Sequence, residues 1–374
     1  MLPAQRRARI LHLARSQDAV RVIDLMTELA VSDATVRRDL ETLAGQGLVQ
    51  KVHGGATAIA ASTTDGQRPP AAAPHDTASP AVAAPEFGVL IPSGTYYCSR
   101  ILDGIREAAD QPGAQFTVNL VLSDGCAETE RALITKLIDA GVQGLLLMPT
   151  VPADGTTEFA DWLRTLPVPV VLVEREVAGS PLGPPSSVRT AHDLGAKAAV
   201  AHLYEQGHRQ IALISRGNTQ TFGMVRAGWE AAMAELGITP TPPVVNDRTP
   251  RRSSEWTTAE LDELLVMLRD KDVTAMLCHN DKDALSIVQH AQSKGWSIPA
   301  DLSIVAYDDE LAPMVSPPLT AVAPPKERVG ALAAATLRAI IAEGDRAPVR
   351  RTRVEPALVI RSSTAAPRDD VPGP

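Results

Sequence analysis

Hydrophobic positions in residues 86–306 follow two alternating patterns. Short, nearly continuous apolar runs predict buried strands, and the longer segments between them carry apolar residues at helical spacing. Parallel sheets that are covered by helices on both faces produce such runs. Strands are predicted at Phe87–Ile91, Phe116–Leu122, Gly144–Met148, Val168–Val173, Ile211–Ile214, Pro243–Val245, Thr274–Cys278 and Leu302–Ala306, with helices near 97–110, 127–140, 156–165, 192–206, 223–236, 257–269 and 282–294. The two series predict an α/β protein with two lobes and a cleft between them.

The first 56 residues have a different pattern, which predicts three short helices and a small hairpin. Ser32 is a suitable N-cap for the third helix, and Val36, Leu40 and Leu43 give that helix one buried stripe. The other predicted elements are a helix from Pro3 to about Arg15, a helix over Val22–Leu29, a strand over Leu48–Val52 and a turn at His53–Gly55. This order of elements is typical of a winged helix-turn-helix domain.

Candidate DNA-binding residues lie on the third helix and on the hairpin. Arg37 and Arg38 sit beside the buried stripe, so both guanidinium groups can point outward, and recognition helices enter the major groove in this way. Arginine can bind guanine or phosphate, and the sequence leaves both open. Ser32 has the alternative role of a helix cap alone. The candidates are Ser32, Thr35, Arg37, Arg38, Lys51 and His53.

Two segments predict disorder and so divide the chain. Residues 57–85 consist largely of Ala, Pro, Thr and Ser, and residues 365–374 are similar. Such segments bury too little apolar surface to offset the entropy lost on ordering. We therefore expect a DNA-binding domain at 1–56, a disordered linker at 57–85, a sensor domain at 86–364 and a disordered tail at 365–374.

Charge and composition favour a cytoplasmic protein that contacts nucleic acid through its head alone. The net charge is −8, yet residues 1–56 carry 8 Lys+Arg against 6 Asp+Glu, whereas the remainder carries 28 against 38. No stretch approaches the roughly 18 apolar residues of a membrane span, and no signal peptide is recognisable at the N-terminus. Three cysteines without metal-ligand spacing fit a reducing compartment.

The head resembles the DNA-binding domain of the DeoR family of bacterial regulators. The matching strings are Arg6-Arg7-Ala8-Arg9-Ile10, Ser32-Asp33-Ala34-Thr35-Val36-Arg37-Arg38-Asp39-Leu40 and Val52-His53-Gly54-Gly55-Ala56. The resemblance covers residues 2–56 almost without gaps, and it implies that the head binds an operator in double-stranded DNA.

The body resembles the effector-binding domain of the LacI/GalR family over residues 86–364. The resemblance implies two Rossmann-like lobes of the periplasmic-binding-protein type joined by three crossover strands, a ligand in the cleft, and a homodimer. The usual LacI-type head and hinge helix are missing, so the chain reads as a hybrid. The matching strings include Gly207–Ile214, Arg226-Ala227-Gly228-Trp229, Cys278–Leu285, Ile298–Asp309, Pro318–Val322 and Leu358–Thr364.

The same resemblance implies a set of ligand-binding residues near strand ends. Sugar-like effectors need planar hydrogen-bonding groups and aromatic faces, and only 3% of this chain is aromatic. Tyr97, Phe222 and Trp256 have core or surface packing as an open alternative, and Glu174 stands where the family usually has aspartate. The candidates are Ser93, Tyr97, Glu174, Phe222, Arg226, Trp256, Asn280 and Asp308.

These observations predict a ligand-responsive transcriptional regulator, which we expect to repress carbohydrate-utilisation genes in response to a sugar or sugar derivative. A purine or nucleoside effector is the main alternative. A solute-binding protein for transport is an alternative of a different class. Such a protein would need a signal peptide and would have no use for a DNA-binding head. We expect no enzyme activity, cofactor or metal, because His208 and His279 lack partners at ligand spacing and His279 is predicted to point to the face of its strand opposite Cys278.

Overall fold

The chain divides into two compact units, Met1–Pro80 and Ala81–Pro374. The computed structural model describes parts of both. In the first unit it describes residues 10, 19–21, 25–26, 35–36, 38, 40, 49–52 and 55–58. In the second it describes 84–92, 96–123, 125–150, 157–177, 185–217, 219–239, 244–245 and 256–368.

The first unit contains a three-stranded antiparallel sheet in the order β1-β3-β2. Its strands are β1 (Ala19–Arg21), β2 (Val49–Val52) and β3 (Gly55–Ala58). β1 was not predicted, and β3 shows that the predicted linker boundary at residue 57 is wrong. Thr57 pairs with Ala19 on one side and with Gln50 on the other, so the ladder hydrogen bonds hold this residue in the sheet.

The second unit is built from two series of strands and helices. The first series comprises β4 (Glu86–Pro92), α1 (Tyr96–Asp110), β5 (Thr117–Ser123), α2 (Ala127–Asp139), β6 (Gly144–Leu147), α3 (Thr157–Arg164), β7 (Val170–Val173) and β8 (Ser186–Thr190). The second comprises α4 (His192–Glu205), β9 (Ile211–Ser215), α5 (Gln220–Glu235), β10 (Val244–Val245), α6 (Thr258–Asp270), β11 (Ala275–His279), α7 (Asp281–Ser293), β12 (Ser303–Tyr307) and β13 (Thr320–Ala323). They are followed by α8 (Lys326–Glu343), β14 (Arg351–Val354) and β15 (Ala357–Val359).

Each lobe is a six-stranded sheet with helices on both faces. The strand orders are β14-β8-β7-β6-β4-β5 in the first lobe and β10-β9-β11-β12-β13-β15 in the second, all parallel except β15. Alternate residues of one strand enter opposite cores: in β6, Leu146 packs with α1 and α8, whereas Leu145 and Leu147 pack with α2 and α3. In the second lobe α6 and α7 cover one face, and α4 and α5 cover the other. The predicted doubly wound architecture is confirmed.

Three crossovers connect the lobes. The chain leaves the first sheet after β8 and enters the second lobe at α4. It returns between β13 and α8, because α8 packs on the first lobe's core, and it crosses a third time between β14 and β15. The crossovers place the starts of α4 and α8 at the junction of the lobes, so His192 and Lys326 lie there.

The end of the described chain is held against the second lobe. The Ala365 carbonyl accepts a hydrogen bond from His208 Nε2 at 2.8 Å, and the Ala365 N–H donates to Ser303 Oγ at 3.1 Å. Arg368 forms an ion pair with Asp301. The prediction of a disordered tail from residue 365 is therefore wrong for residues 365–368, because specific polar contacts replace the apolar burial that the segment lacks.

Candidate functional site

The polar centre of the sensor lies where strands end. Glu174 follows β7, and Asp308 follows β12. Both have a left-handed backbone, with φ of 53° and 101°. Residues other than glycine rarely adopt this backbone conformation. Those that do cluster at ligand sites, where the surrounding structure holds them in place. Of the four residues other than glycine that have this backbone in the described part of the chain, Glu174 and Asp308 are the two buried ones, so they mark the candidate site.

Glu174 is held by four polar contacts in a fully buried position. Tyr97 Oη donates to Oε1 at 2.8 Å, the Thr190 N–H donates to Oε2 at 2.9 Å, and Thr190 Oγ1 donates to Oε1 at 2.7 Å. His192 Nε2 lies 3.1 Å from Oε2. Burial alone would raise the pKa of Glu174, but His192 and the Thr190 hydrogen bonds outweigh it and lower the pKa to about 2. Glu174 is therefore a fixed anion.

The Asp308 carboxyl group has fewer hydrogen-bond partners than that of Glu174. Tyr96 Oη lies 3.4 Å from Oδ2, a long hydrogen bond, and Lys326 Nζ donates to the backbone carbonyl of Asp308 rather than to its carboxyl group. Burial, followed by the charge of Asp281, raises the pKa of Asp308 well above its usual range. Hydrogen-bonding capacity is left for a ligand hydroxyl at this carboxyl group.

Lys326 and Tyr97 connect Glu174 to the backbone of Asp308. Lys326 Nζ lies 5.4 Å from the centre of the Tyr97 ring and 3.1 Å from Glu310 Oε1. The Tyr97 hydroxyl binds Glu174, as described above, while its ring faces the ammonium group that binds Asp308. The predicted residues Tyr97, Glu174 and Asp308 are therefore brought together by the structure.

His279 lies inside this region, and the prediction that it points to the face opposite Cys278 is confirmed, because Cys278 packs with α6 and α7 whereas the His279 ring meets Phe222 and Tyr307. As the last residue of β11 it is partly buried, with its ring centre 6.1 Å from that of Phe222 and 5.6 Å from that of Tyr307. The predicted ligand residue Phe222 is itself fully buried. Burial, reinforced by His192, lowers the pKa of His279 to about 4, so the ring is neutral at physiological pH.

This neutral histidine gives a pH prediction. Because the folded pKa of His279 is below the unfolded value, its contribution to stability is complete above pH 6.5 and falls as pH drops from 6.5 to 4. The loss by pH 4 is at most about 3 kcal/mol, at about 1.4 kcal/mol per pKa unit. We expect His279→Gln to flatten the pH dependence of the melting temperature over this range. His290→Gln, which alters a partly buried histidine paired with Asp262, is the control; identical slopes for wild type and His279→Gln would contradict the prediction.

Three other predicted ligand residues, Arg226, Trp256 and Asn280, have described contacts of a different kind. Arg226 lies on the exposed face of α5, paired with Glu230 at 2.7 Å, because the buried stripe of that helix runs through Phe222, Val225 and Trp229. Trp256 borders a surface cavity with Leu285 and His290.

Asn280 caps α7, with Oδ1 accepting from the Lys282 N–H at 3.1 Å. Ser93 lies outside the described residues. Arg226, Trp256 and Asn280 are therefore not joined to the Glu174–Asp308 group by a described contact, and their roles in ligand binding stay predictions.

Of the predicted DNA-binding residues, Thr35 and Arg38 are described in a helix, and Lys51 lies in β2. Arg38 is exposed, whereas Val36 and Leu40 are buried, which confirms the predicted stripe at these two positions; Leu43 lies outside the described residues. Ser32, Arg37 and His53 lie outside the described residues. An outward arginine beside a buried stripe is the arrangement that DNA recognition needs.

Tyr96, Thr190, His192, Tyr307 and Lys326 complete the site and were missed by the sequence analysis. His192 and Lys326 begin helices directly after crossovers, and Thr190 ends a strand without an apolar run. Apolar periodicity carries no signal for such positions. Tyr307 precedes Asp308 inside a string matching the LacI/GalR family, so only its orientation was unknown.

Two doubly wound lobes, joined by three crossovers and with polar side chains at their strand ends, define a ligand-binding domain of the periplasmic-binding-protein type. A family model described as a periplasmic binding protein-like domain matches residues 200–364, and one described as a DeoR-like helix-turn-helix domain matches residues 6–62. Within the described residues, no helix has both the length and the apolar character to cross a membrane.

Known regulators are similar over most of the sensor. The transcriptional repressor PurR of Vibrio cholerae is 32% identical over 252 residues, or 65% of this chain and 70% of that protein. The structure of the dimeric Lac repressor aligns with 76% of this chain over 100% of its own length, with TM-score 0.63 and 24% identity. The structure of a LacI family regulator from Enterococcus faecium with bound ribose aligns with 75% of this chain over 99% of its own length, with TM-score 0.60 and 22% identity. The chain belongs to the LacI family of DNA-binding transcriptional regulators, and its head is of the DeoR-like helix-turn-helix type.

Proposed function

We propose that this regulator is a homodimeric repressor that binds a sugar or sugar derivative between its lobes. The observation that carries the proposal is the pair of left-handed carboxyl residues, Glu174 and Asp308, with Tyr96 and Tyr97 between them. The Asp308 carboxyl group has acceptor capacity left for a ligand hydroxyl, Glu174 holds the Tyr97 hydroxyl in place, and a tyrosine ring can cover the apolar side of a sugar. The ribose complex of the Enterococcus faecium regulator supports this ligand class.

A purine or nucleoside effector is the second candidate. The relative named PurR supports it, and so does the neutral ring of His279 between Phe222 and Tyr307, since a heteroaromatic ligand can pair with such groups. The two ligand classes make different demands on the site. Hydroxyl recognition depends on the carboxyl groups, whereas base recognition depends on the rings.

The head is proposed to bind the operator through Ser32, Thr35, Arg37 and Arg38, with Lys51 and His53 on the wing. Two heads binding together would compensate for the small positive charge of each. The experiment combines two assays on the full chain. Thermal melting is followed with D-ribose, D-glucose, hypoxanthine and guanosine, and operator fragments selected from genomic DNA are then titrated with and without the ligand that shifts melting. A melting shift caused by a sugar, together with altered operator affinity, supports the sugar proposal, and the same result with hypoxanthine or guanosine supports the second candidate. No shift by any of the four compounds contradicts both.

Asp308→Asn tests the assigned site. Asparagine keeps the shape and tolerates the left-handed backbone, but it cannot act as a carboxyl group. We expect the affinity for a sugar effector to fall by about tenfold to a hundredfold, the loss of one or two good hydrogen bonds. Calorimetric titration gives the affinity. Asp272→Asn is the matched control, because Asp272 is also left-handed but lies in an exposed turn after α6. Equal affinities for wild type and Asp308→Asn would place the site elsewhere.

A further inference from the structure

His192 has both ring nitrogens engaged at the junction of the lobes. It is fully buried and is the first residue of α4, directly after the first crossover. Nε2 lies 3.1 Å from Glu174 Oε2, and Nδ1 lies 2.8 Å from Tyr307 Oη. A carboxylate only accepts hydrogen bonds, so Nε2 carries a proton. Nδ1 can then accept from the Tyr307 hydroxyl or, in the cationic ring, donate to it.

The two partners of His192 belong to different sheets. Glu174 follows β7 of the first lobe, and Tyr307 ends β12 of the second. Each is bonded to a proposed effector-binding residue: Glu174 accepts the Tyr97 hydroxyl, and Tyr307 is the neighbour of Asp308 in the chain. The imidazole of His192 therefore links Glu174 of the first lobe to Tyr307, the neighbour of Asp308, in the second, and all three side chains are buried.

We propose that His192 is a positioning residue that sets the spacing between the effector-binding groups of the two lobes. The proposal rests on the proposed function, in which Tyr97, held by Glu174, and Asp308 contact the effector. The alternative is that His192 merely fills the core. A core residue would affect melting in proportion to the volume lost, whereas a positioning residue affects the lobe arrangement even when the volume is kept.

The surroundings of His192 favour the specific role. Thr190 holds the other side of the Glu174 carboxylate, and Tyr307 has the His279 ring as its next neighbour. The adjacent Asp193 is bound by Arg353 of β14, the strand before the third crossover. Polar contacts thus fix the start of α4 from both lobes, which is more than packing of the core requires.

Two substitutions separate the two bonds of His192. The amide of His192→Asn overlays Nδ1, so it keeps the bond to Tyr307 and loses that to Glu174. The amide of His192→Gln overlays Nε2 and has the opposite effect. Tyr307→Phe removes only the hydroxyl and is the variant to use if either histidine variant fails to fold. Ser123→Ala removes a buried hydroxyl bond to the Glu130 carboxylate within the first lobe and leaves the bridge and its supports intact, so it is the matched control.

The measurement is the distance distribution between spin labels on the two lobes, in the ligand-free full chain. Labels are attached at Asp103→Cys on α1 and Glu263→Cys on α6, both exposed, with Cys126→Ser and with excess unlabelled chain to dilute labelled pairs. We expect a single narrow distribution for wild type and Ser123→Ala. Broader or shifted distributions are expected for His192→Asn, His192→Gln and Tyr307→Phe, with effector affinity reduced tenfold or more.

Unchanged distributions in the folded variants would overturn the positioning role. The distance measurement needs no ligand, so its outcome is separate from that of the proposed function. If none of the four test ligands binds the wild-type chain, the proposed function fails and the link between His192 and effector binding fails with it. If a ligand binds and the distributions are unchanged, only the role of His192 is refuted.

Discussion

Replacing Arg37 and Arg38 together with alanine is expected to abolish specific DNA binding and to leave effector binding unchanged. Arg38 is exposed beside the buried Val36 and Leu40, and Arg37 is its neighbour in the chain. A good bidentate contact to a base is worth about 1–3 kcal/mol, and a dimer would lose the contacts of two heads. The expected loss of affinity therefore reaches several orders of magnitude.

Gel-shift titration with a selected operator measures this loss, and calorimetry with the effector checks the sensor. The control is Arg106→Ala, which removes an exposed arginine from α1 of the sensor. If the two head arginines only contact phosphate, binding will weaken equally on specific and random DNA, with a smaller salt dependence. Wild-type affinity in the double variant would remove these arginines from the DNA interface.

The alternation of apolar runs and helical segments predicted most elements of both lobes to within a few residues. It made no prediction for β13, α8, β14 or β15, and it missed β8 because that strand has the sequence Ser-Ser-Val-Arg-Thr, yet all five residues are buried. Its polar side chains are paired one by one: Ser186 Oγ accepts from the Arg350 N–H, Arg189 pairs with Glu176, and Thr190 binds Glu174. Because the polar side chains of β8 are buried through specific partners, the sequence has no hydrophobic pattern there, and only the fold shows that this strand is buried.

The site was predicted in part for a related reason. Tyr97, Glu174 and Asp308 follow or face strand ends, a position that the order of elements already gives. His192 and Lys326 required the crossovers, which depend on how distant parts of the chain pack. The placement of Arg226 was accessible from sequence: the stripe through Phe222, Val225 and Trp229 at helical spacing leaves residue 226 outside it.

Gly228→Ala is expected to destabilise the second lobe by about 3 kcal/mol or more. A Cβ atom at Gly228 would overlap the backbone carbonyl of Asp193, so α5 can accept it only by moving away from α4. Overpacking of a core usually costs about 1–3 kcal/mol, and here the obstacle is backbone, which cannot rotate away. Because Asp193 follows His192, the same movement would disturb the bridge between Glu174 and Tyr307 and weaken effector binding.

Gly223→Ala provides the matched control on the same helix. Nothing lies within 4 Å of a Cβ atom at Gly223, and its backbone is helical, so alanine there is expected to stabilise the protein by up to about 1 kcal/mol. The two variants carry the same substitution, so its effect on the unfolded chain is shared and their difference isolates the contact of α5 with α4. Urea unfolding of both variants gives this difference. If Gly228→Ala proves as stable as Gly223→Ala, the two helices do not meet through their backbones, and the rigid start of α4 on which the role of His192 depends is lost.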